Sequence, residues 1–204
     1  VDAQGARYWG LEDFCALLGM RPSAKYETTW ERIAKAVRDH VPISQRPQTL
    51  RQMATLLLLT YALRDADCHA KNLALRYTNQ TDVHLAPAFD VITTAAYPTY
   101  QNNPPGISFM GKKTWAPGKH LGTFITATFG VPARDQISIV GAIADAMATV
   151  APLVRNAMST HAGFHDIGKR MLLAWRQGIE GLHDRRVYSL PAPDLSTAFS
   201  GISD

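Results

Sequence analysis

The sequence predicts a mainly α domain of about six to seven helices that carries one small β-hairpin. Apolar stripes at helical spacing recur through most of the 204 residues. Two short apolar segments flank T-N-Q-T-D at 78–82 as the arms of a hairpin. The composition shifts nowhere, and neither a repeat nor a low-complexity segment interrupts it, so one domain spanning 1–204 is expected. With 46% hydrophobic and 19% charged residues the chain is neither disordered nor fibrous. A chain of this size should bury roughly 70% of its unfolded surface around one core.

The elements follow in order. Leu11 to Leu18 carries Glu12 and Asp13 early and Gly19 just after, the charge and C-cap pattern of a short helix. A second helix is expected from about Thr28 to His40, with Trp30, Ile33, Ala34 and Val37 on one face and charge on the other. Pro42 and Pro47 bracket a linker before a central helix, Gln48 to Leu63, whose Leu56–Leu59 run is apolar around the whole circumference and so predicts burial on every side. Leu73 to Tyr77 and Val83 to Ala86 form the hairpin, with a four- to five-residue turn, and are the only sheet expected. Tyr97 to Gly106 is proline-rich loop. Helices are expected at Gly118 to Phe129, from about Arg134 to Met158 with a kink or break at Pro152, and near Phe164 to Gly178. The tail S-L-P-A-P-D-L-S should be extended.

Charge and cysteines narrow the class. The net charge of +4 fits polyanionic partners such as nucleotides, and equally fits many proteins that bind none. The basic residues are scattered, with no run of five or six, so charge does not decide direct nucleic-acid contact. Cys15 and Cys68 match no metal-site spacing, and two lone thiols suit a reducing compartment. No signal peptide opens the chain, and the run Met53 to Leu63 is too short to cross a bilayer, so a cytoplasmic protein without a membrane partner is expected.

The chemistry concentrates where the central helix runs out. There L-R-D-A-D-C-H-A-K-N crowds Asp65, Asp67, His69, Lys71 and Asn72 together, and a hairpin later A-P-A-F-D returns an acid, Asp90. A protein-kinase catalytic loop places its base Asp five positions before a metal-binding Asn, and a later Asp holds the metal from the other side. Asp67 and Asn72 have that separation, and Asp90 follows the hairpin. Phosphoryl transfer asks the protein for positioning and charge neutralisation: one acid to orient the attacking hydroxyl, and hard oxygen ligands for the metal. Asp90 sits among Ala88, Phe89, Val91 and Ile92, where an unpaired buried carboxylate would be costly. Taken alone, Asp65 and Asp67 could cap a turn or pair with Arg64, His69 could be a hydrogen-bonded core histidine, and Phe89 could be plain core.

D-x-H-A-K-N, a hairpin, then A-P-x-F-D with Y-P beyond it resembles the C-terminal lobe of HipA-type serine/threonine kinases, the toxins of bacterial toxin–antitoxin pairs. L-E-D-F-C-A-L-L-G and S-A-K-Y-E upstream and I-S-F-M-G-K-K-T-W downstream extend the likeness over most of the chain. The resemblance implies a kinase-like C-terminal lobe using ATP and Mg²⁺, with Asp67 as base and Asn72 and Asp90 as Mg²⁺ ligands. His69, Ala70, Lys71 and Phe89 would lie with Asn72 and Asp90 along the nucleotide. It also implies a protein Ser/Thr hydroxyl as acceptor, on a translation factor such as an aminoacyl-tRNA synthetase, and a cognate HipB-like DNA-binding antitoxin as partner.

Two departures stand out. Cys68 replaces an expected Gly or Arg, and nothing resembles the small N-terminal lobe with its phosphate-covering loop and ATP-holding lysine. The chain, opening V-D-A-Q, is therefore expected to belong to a longer protein and, alone, to be weakly active or inactive. Lys71 lies four residues from Asp67, not two as in eukaryotic kinases, so pairing with Asp67 is its other reading. Two alternatives compete: a metal-dependent phosphohydrolase using Asp65, Asp67, His69 and Asp90 as ligands, and a non-catalytic lobe that docks antitoxin or substrate. G-I-S-F-M-G-K-K-T at 106–114 approaches a phosphate-loop pattern, but Lys113 stands where the hydroxyl belongs and Ala116-Pro117 where a helix should start. Lys112 and Lys113 then read as solvated charges.

Overall fold

Residues 8–115, 120–182 and 199–200 are described by the computed structural model. The segment expected as the first helix divides in two. Gly10–Asp13 is a strand, β1, and only Phe14–Leu17 is helical, α1. Asp13 ends the strand and caps the helix, its carboxylate accepting the Ala16 N–H at 2.9 Å. The acids that looked like a helical first turn thus precede the helix. β1 runs antiparallel to β2 (Ala74–Asn79), from Gly10 opposite Tyr77 to Asp13 opposite Ala74. β2 in turn pairs with β3 (Asp82–Leu85), so the sheet has three strands in the order β1-β2-β3 rather than the hairpin alone. Asn79 pairs with Asp82 around a turn shorter than expected, and Asn79 Oδ1 takes the Thr81 N–H at 2.8 Å, an Asx turn.

Helix α2 (Trp30–His40) is capped by Thr29, whose hydroxyl accepts the Arg32 N–H at 3.2 Å, and it buries Trp30, Ile33, Ala34, Ala36 and Val37. The central helix α3 (Arg46–Leu63) starts two residues earlier than expected: Pro47 falls in the first turn, where a missing N–H costs nothing. Around α3 pack α2, β3, α4 (His120–Phe129), α5 (Ala133–Thr160) and α6 (His165–Leu182). Leu57 and Leu58 are fully buried, but Leu56, Leu59 and Leu63 are only half-buried, so one flank of the helix stays partly open. Gly118, expected within α4, lies outside the described residues, as does the S-L-P-A-P-D-L-S tail.

Pro152 does not split α5, which runs unbroken for 28 residues. Pro152 is exposed, on a flank where the carbonyl deprived of its N–H partner can turn to water. By length and composition α5 could cross a membrane. Its stripe of Ile139, Val140, Ile143, Ala144, Met147, Ala151 and Val154 is buried, and the helix packs on α3, α4 and α6. Helix α6 presses closely on the end of α3: a Cβ on Gly178 would stand 2.2 Å from the Ala62 carbonyl oxygen and 2.7 Å from that of Tyr61. That contact sets the position of the loop that follows α3.

Candidate active site

Arg64 ends α3 in the left-handed conformation (φ 58°), and the Asp65 N–H still reaches the Thr60 carbonyl at 3.0 Å, so the chain turns sharply into the acidic loop. Asp65 is 2% exposed. One of its oxygens accepts the Asp67 N–H at 3.0 Å and the other the Ile92 N–H at 3.5 Å, tying the loop to the arm that carries Asp90. Burial pushes its carboxyl up to about 6, helped by Asp67 and Asp90 and opposed by the two backbone N–H groups. Thr94 clamps the same turn, donating to the Arg64 carbonyl at 2.9 Å and accepting the Ala66 N–H at 2.7 Å. Helix α6 secures that clamp through Trp175 Nε1 to Thr93 Oγ1 and Arg170 Nε to the Ala96 carbonyl, both 2.7 Å. On the other side Gly106 lies so near that a Cβ there would meet the Cys68 carbonyl oxygen at 2.2 Å. The Cys68 thiol is pushed up to about 12 by burial, against a Thr60 hydrogen bond, and is therefore unreactive.

Asp67 differs from Asp65 in facing outward. Its side chain is 36% exposed and lines a cavity of about 660 Å³ bounded also by Tyr26, Thr94, Tyr97, Tyr100, Pro105 and Lys113. The Tyr26 hydroxyl donates to Asp67 Oδ1. The Tyr26 ring meets His69 edge-on, centroids 5.0 Å apart, and Lys113 Nζ donates to the Tyr26 carbonyl at 2.9 Å. His69 is buried, with Nε2 3.8 Å from Asp67 Oδ1. Burial, seconded by Lys25, lowers its pKa, so the imidazole is neutral near pH 7 and its approach to Asp67 is no ion pair there. Burial and then the Asp67 bond raise the Tyr26 phenol, which stays a donor.

Asn72 and Asp90 are brought together. Asn72 Nδ2 donates to Asp90 Oδ2 at 2.6 Å, while Asn72 Oδ1 is buried without a hydrogen-bond partner among the described residues. Asp90 is exposed and left-handed, φ 53°. An unpartnered amide oxygen beside a carboxylate is a hard oxygen pair of the kind Mg²⁺ takes, so these residues fit that ion.

The remaining expected site residues are distributed unevenly. Lys71 and Phe89 are exposed, whereas Ala70 is wholly buried, its N–H donating to the Lys25 carbonyl and its carbonyl accepting from Cys15 N–H. Lys71 forms no ion pair with Asp67, whose partners are Tyr26 and His69. The four-ligand set of the phosphohydrolase alternative is not assembled: among the described residues no group of three or more His, Cys, Asp or Glu could hold a metal, and both Asp65 oxygens serve backbone N–H groups. Lys113 is not merely solvated, since it braces Tyr26. The 106–114 segment makes a tight turn pairing Phe109 with Lys112, with Met110 and Gly111 at φ 48° and 71°, not a phosphate cradle. Tyr26, Thr94 and Gly106 were missed in the sequence; S-A-K-Y-E, within the resemblance, was the one signal pointing to Tyr26.

A curated protein named "Putative kinase Y4mE", from Sinorhizobium fredii (strain NBRC 101917 / NGR234), is 32% identical over 92 residues, 43% of this chain and 21% of that protein. A chain of the Shewanella oneidensis MR-1 toxin–antitoxin complex of HipA, HipB and operator DNA superposes with a TM-score of 0.58 over 89% of this chain and 45% of that one. At 14% identity that likeness speaks to fold alone. This chain spans less than half the length of either. The sequence model described as HipA-like C-terminal domain matches residues 2–151, well over half of the chain, which therefore belongs to the HipA-like C-terminal domain family.

Proposed function

We propose that this chain is the C-terminal lobe of an ATP- and Mg²⁺-dependent protein kinase that phosphorylates a Ser or Thr hydroxyl. One observation carries the proposal: an outward-facing Asp67 on an open cavity, joined through the buried Asp65 to an Asn72–Asp90 oxygen pair. ATP would supply the phosphoryl group, with Mg²⁺ held by Asn72 Oδ1 and the Asp90 carboxylate. Asp67 orients the acceptor hydroxyl and takes its proton as the oxygen attacks. Burial lowers the His69 pKa, and its ring packs on Tyr26, which holds Asp67. Exposed Lys71 and Phe89 are free to flank the nucleotide; buried Ala70 holds the loop's backbone.

A small lobe beyond these 204 residues would complete the nucleotide pocket, and the acceptor would be a translation protein such as an aminoacyl-tRNA synthetase. The Shewanella complex contains HipB and operator DNA, which supports a HipB-like antitoxin as partner for this chain. Two free buried cysteines support a cytoplasmic setting. A docking lobe without chemistry is the second reading, favoured for the isolated chain because it spans only 45% of the solved relative and positioning supplies most of the catalysis.

Transfer of radiolabelled phosphate from ATP tests the proposal, using the whole natural protein carrying this chain, with and without Asp67→Asn, on itself and in a cytosolic extract. Label that falls by about 10²–10⁴-fold in the variant is the expected outcome. Equal label in both proteins would remove Asp67 as base, and no label in either, with both folded, would leave the docking reading.

A further inference from the structure

A general base on an exposed side chain has a problem of its own: a carboxylate free to rotate spends little time aimed at the acceptor. Asp67 is 36% exposed at its side chain, and the Asp65 bond fixes its backbone N–H but not its carboxylate. What fixes the carboxylate comes from 41 residues upstream, where the Tyr26 hydroxyl donates to Oδ1.

Tyr26 is itself held on several sides. Lys113 Nζ donates to its carbonyl at 2.9 Å, the Lys25 carbonyl takes the Ala70 N–H at 3.1 Å, and the Trp30 N–H reaches the Ser108 carbonyl at 2.9 Å. The Lys25 ammonium lies 4.9 Å from its ring centroid, and His69 packs on the ring edge-on. The segment therefore braces the loop at Ala70 and offers the phenol at Asp67. Tyr26, Asp67 and Lys113 share the lining of one cavity, and Asn72 and Asp90 do not line it. The cavity thus borders Asp67 and not the Asn72–Asp90 pair.

We infer that Tyr26 is the positioning residue for Asp67: its hydroxyl fixes one carboxylate oxygen and leaves the other for the acceptor hydroxyl that enters through the cavity. The inference rests on the kinase reading for its functional part. The phenol keeps its proton throughout, because it donates to the carboxylate and takes no part in the transfer.

Tyr26→Phe tests this cleanly, since it keeps the ring against His69 and removes only the O–H. In the whole natural protein, kcat for phosphate transfer is expected to fall by about 10–100-fold with KM for ATP unchanged. Tyr26→Phe added to Asp67→Asn should lose nothing more, because a positioning group has no effect once its base is gone. Independently of activity, ¹³C-carboxyl NMR at one fixed pH near 7, with Asp67→Asn as the assignment control, should show the Asp67 carboxyl resonance displaced in Tyr26→Phe, because one of its oxygens has lost its O–H donor. An unchanged kcat, or an unmoved Asp67 carboxyl resonance, would overturn the inference. If the unaltered protein transfers no phosphate, the kinase reading fails and the NMR shift alone decides whether Tyr26 holds Asp67.

Discussion

Residues 64–72 and residues 87–92 carry the two halves of the site and are held very differently. The first segment is gripped by α3, by Thr94, by Gly106 and, through Trp175 and Arg170, by α6. Residues 87–92 are all exposed, and their ties to the loop are two: Asn72 to the Asp90 side chain and Asp65 to the Ile92 N–H. Asp67 is thus positioned by the protein alone, whereas Asp90 sits where an ion, a nucleotide or another lobe would complete its surroundings. Stability should reside in the first segment and ligand response in the second.

Gly106→Ala attacks the gripped segment most directly. Its Cβ would press on two backbone carbonyls, Cys68 at 2.2 Å and Ala66 at 2.9 Å, and neither can swing aside as a side chain can. A loss of about 3 kcal/mol in urea unfolding is expected, together with, on the proposed kinase reading, loss of phosphate transfer. An unaltered midpoint would mean that the loop is softer than its contacts imply.

The buried Asp65 sharpens the contrast through pH. Its carboxyl, at about 6 in the fold against an ordinary 3.8, binds more protons when folded, so its contribution to stability is fully present below about pH 4 and is lost as pH rises towards and past 6. The loss should reach about 2–3 kcal/mol, and Asp65→Asn should flatten it in denaturation midpoints across that window. Next in size, Thr94→Val leaves the Ala66 N–H and the Arg64 carbonyl without their partner and should cost about 1–2 kcal/mol by the same measurement. The smallest effect on stability belongs to the open segment. Asp90→Gly relieves a positive φ and loses one hydrogen bond, so unfolding should move by no more than about 0.5 kcal/mol while, on the proposed kinase reading, Mg²⁺-dependent transfer disappears.

Much of this was legible because it is local. The helical stripes and the hairpin are short-range patterns, and the structure carries both. Other features escaped because their causes are remote. β1 forms because β2, more than sixty residues on, supplies its partner, and no alternation within Gly10–Asp13 announces it. Pro152 reads as a breaker until its exposed position is known. Asp65 and Asp67 look alike in sequence, and only burial separates the one that binds backbone from the one that faces the cavity. Tyr26, Thr94 and Gly106 act across 41, 28 and 38 residues respectively, on Asp67, Ala66 and Cys68, with no period to betray them.

The contact of Gly178 with the end of α3 has an evolutionary consequence. At that point two helices touch through bare backbone, so any side chain at 178 must push α3, and with it the turn that presents Asp65 and Asp67. Position 178 is therefore coupled to the site although it touches none of its reacting groups. Across homologues, a larger residue at 178 should be accompanied by compensating change at 61–62 or by decay of the acidic loop, so that one glycine on the last helix marks which relatives still keep the loop in working shape.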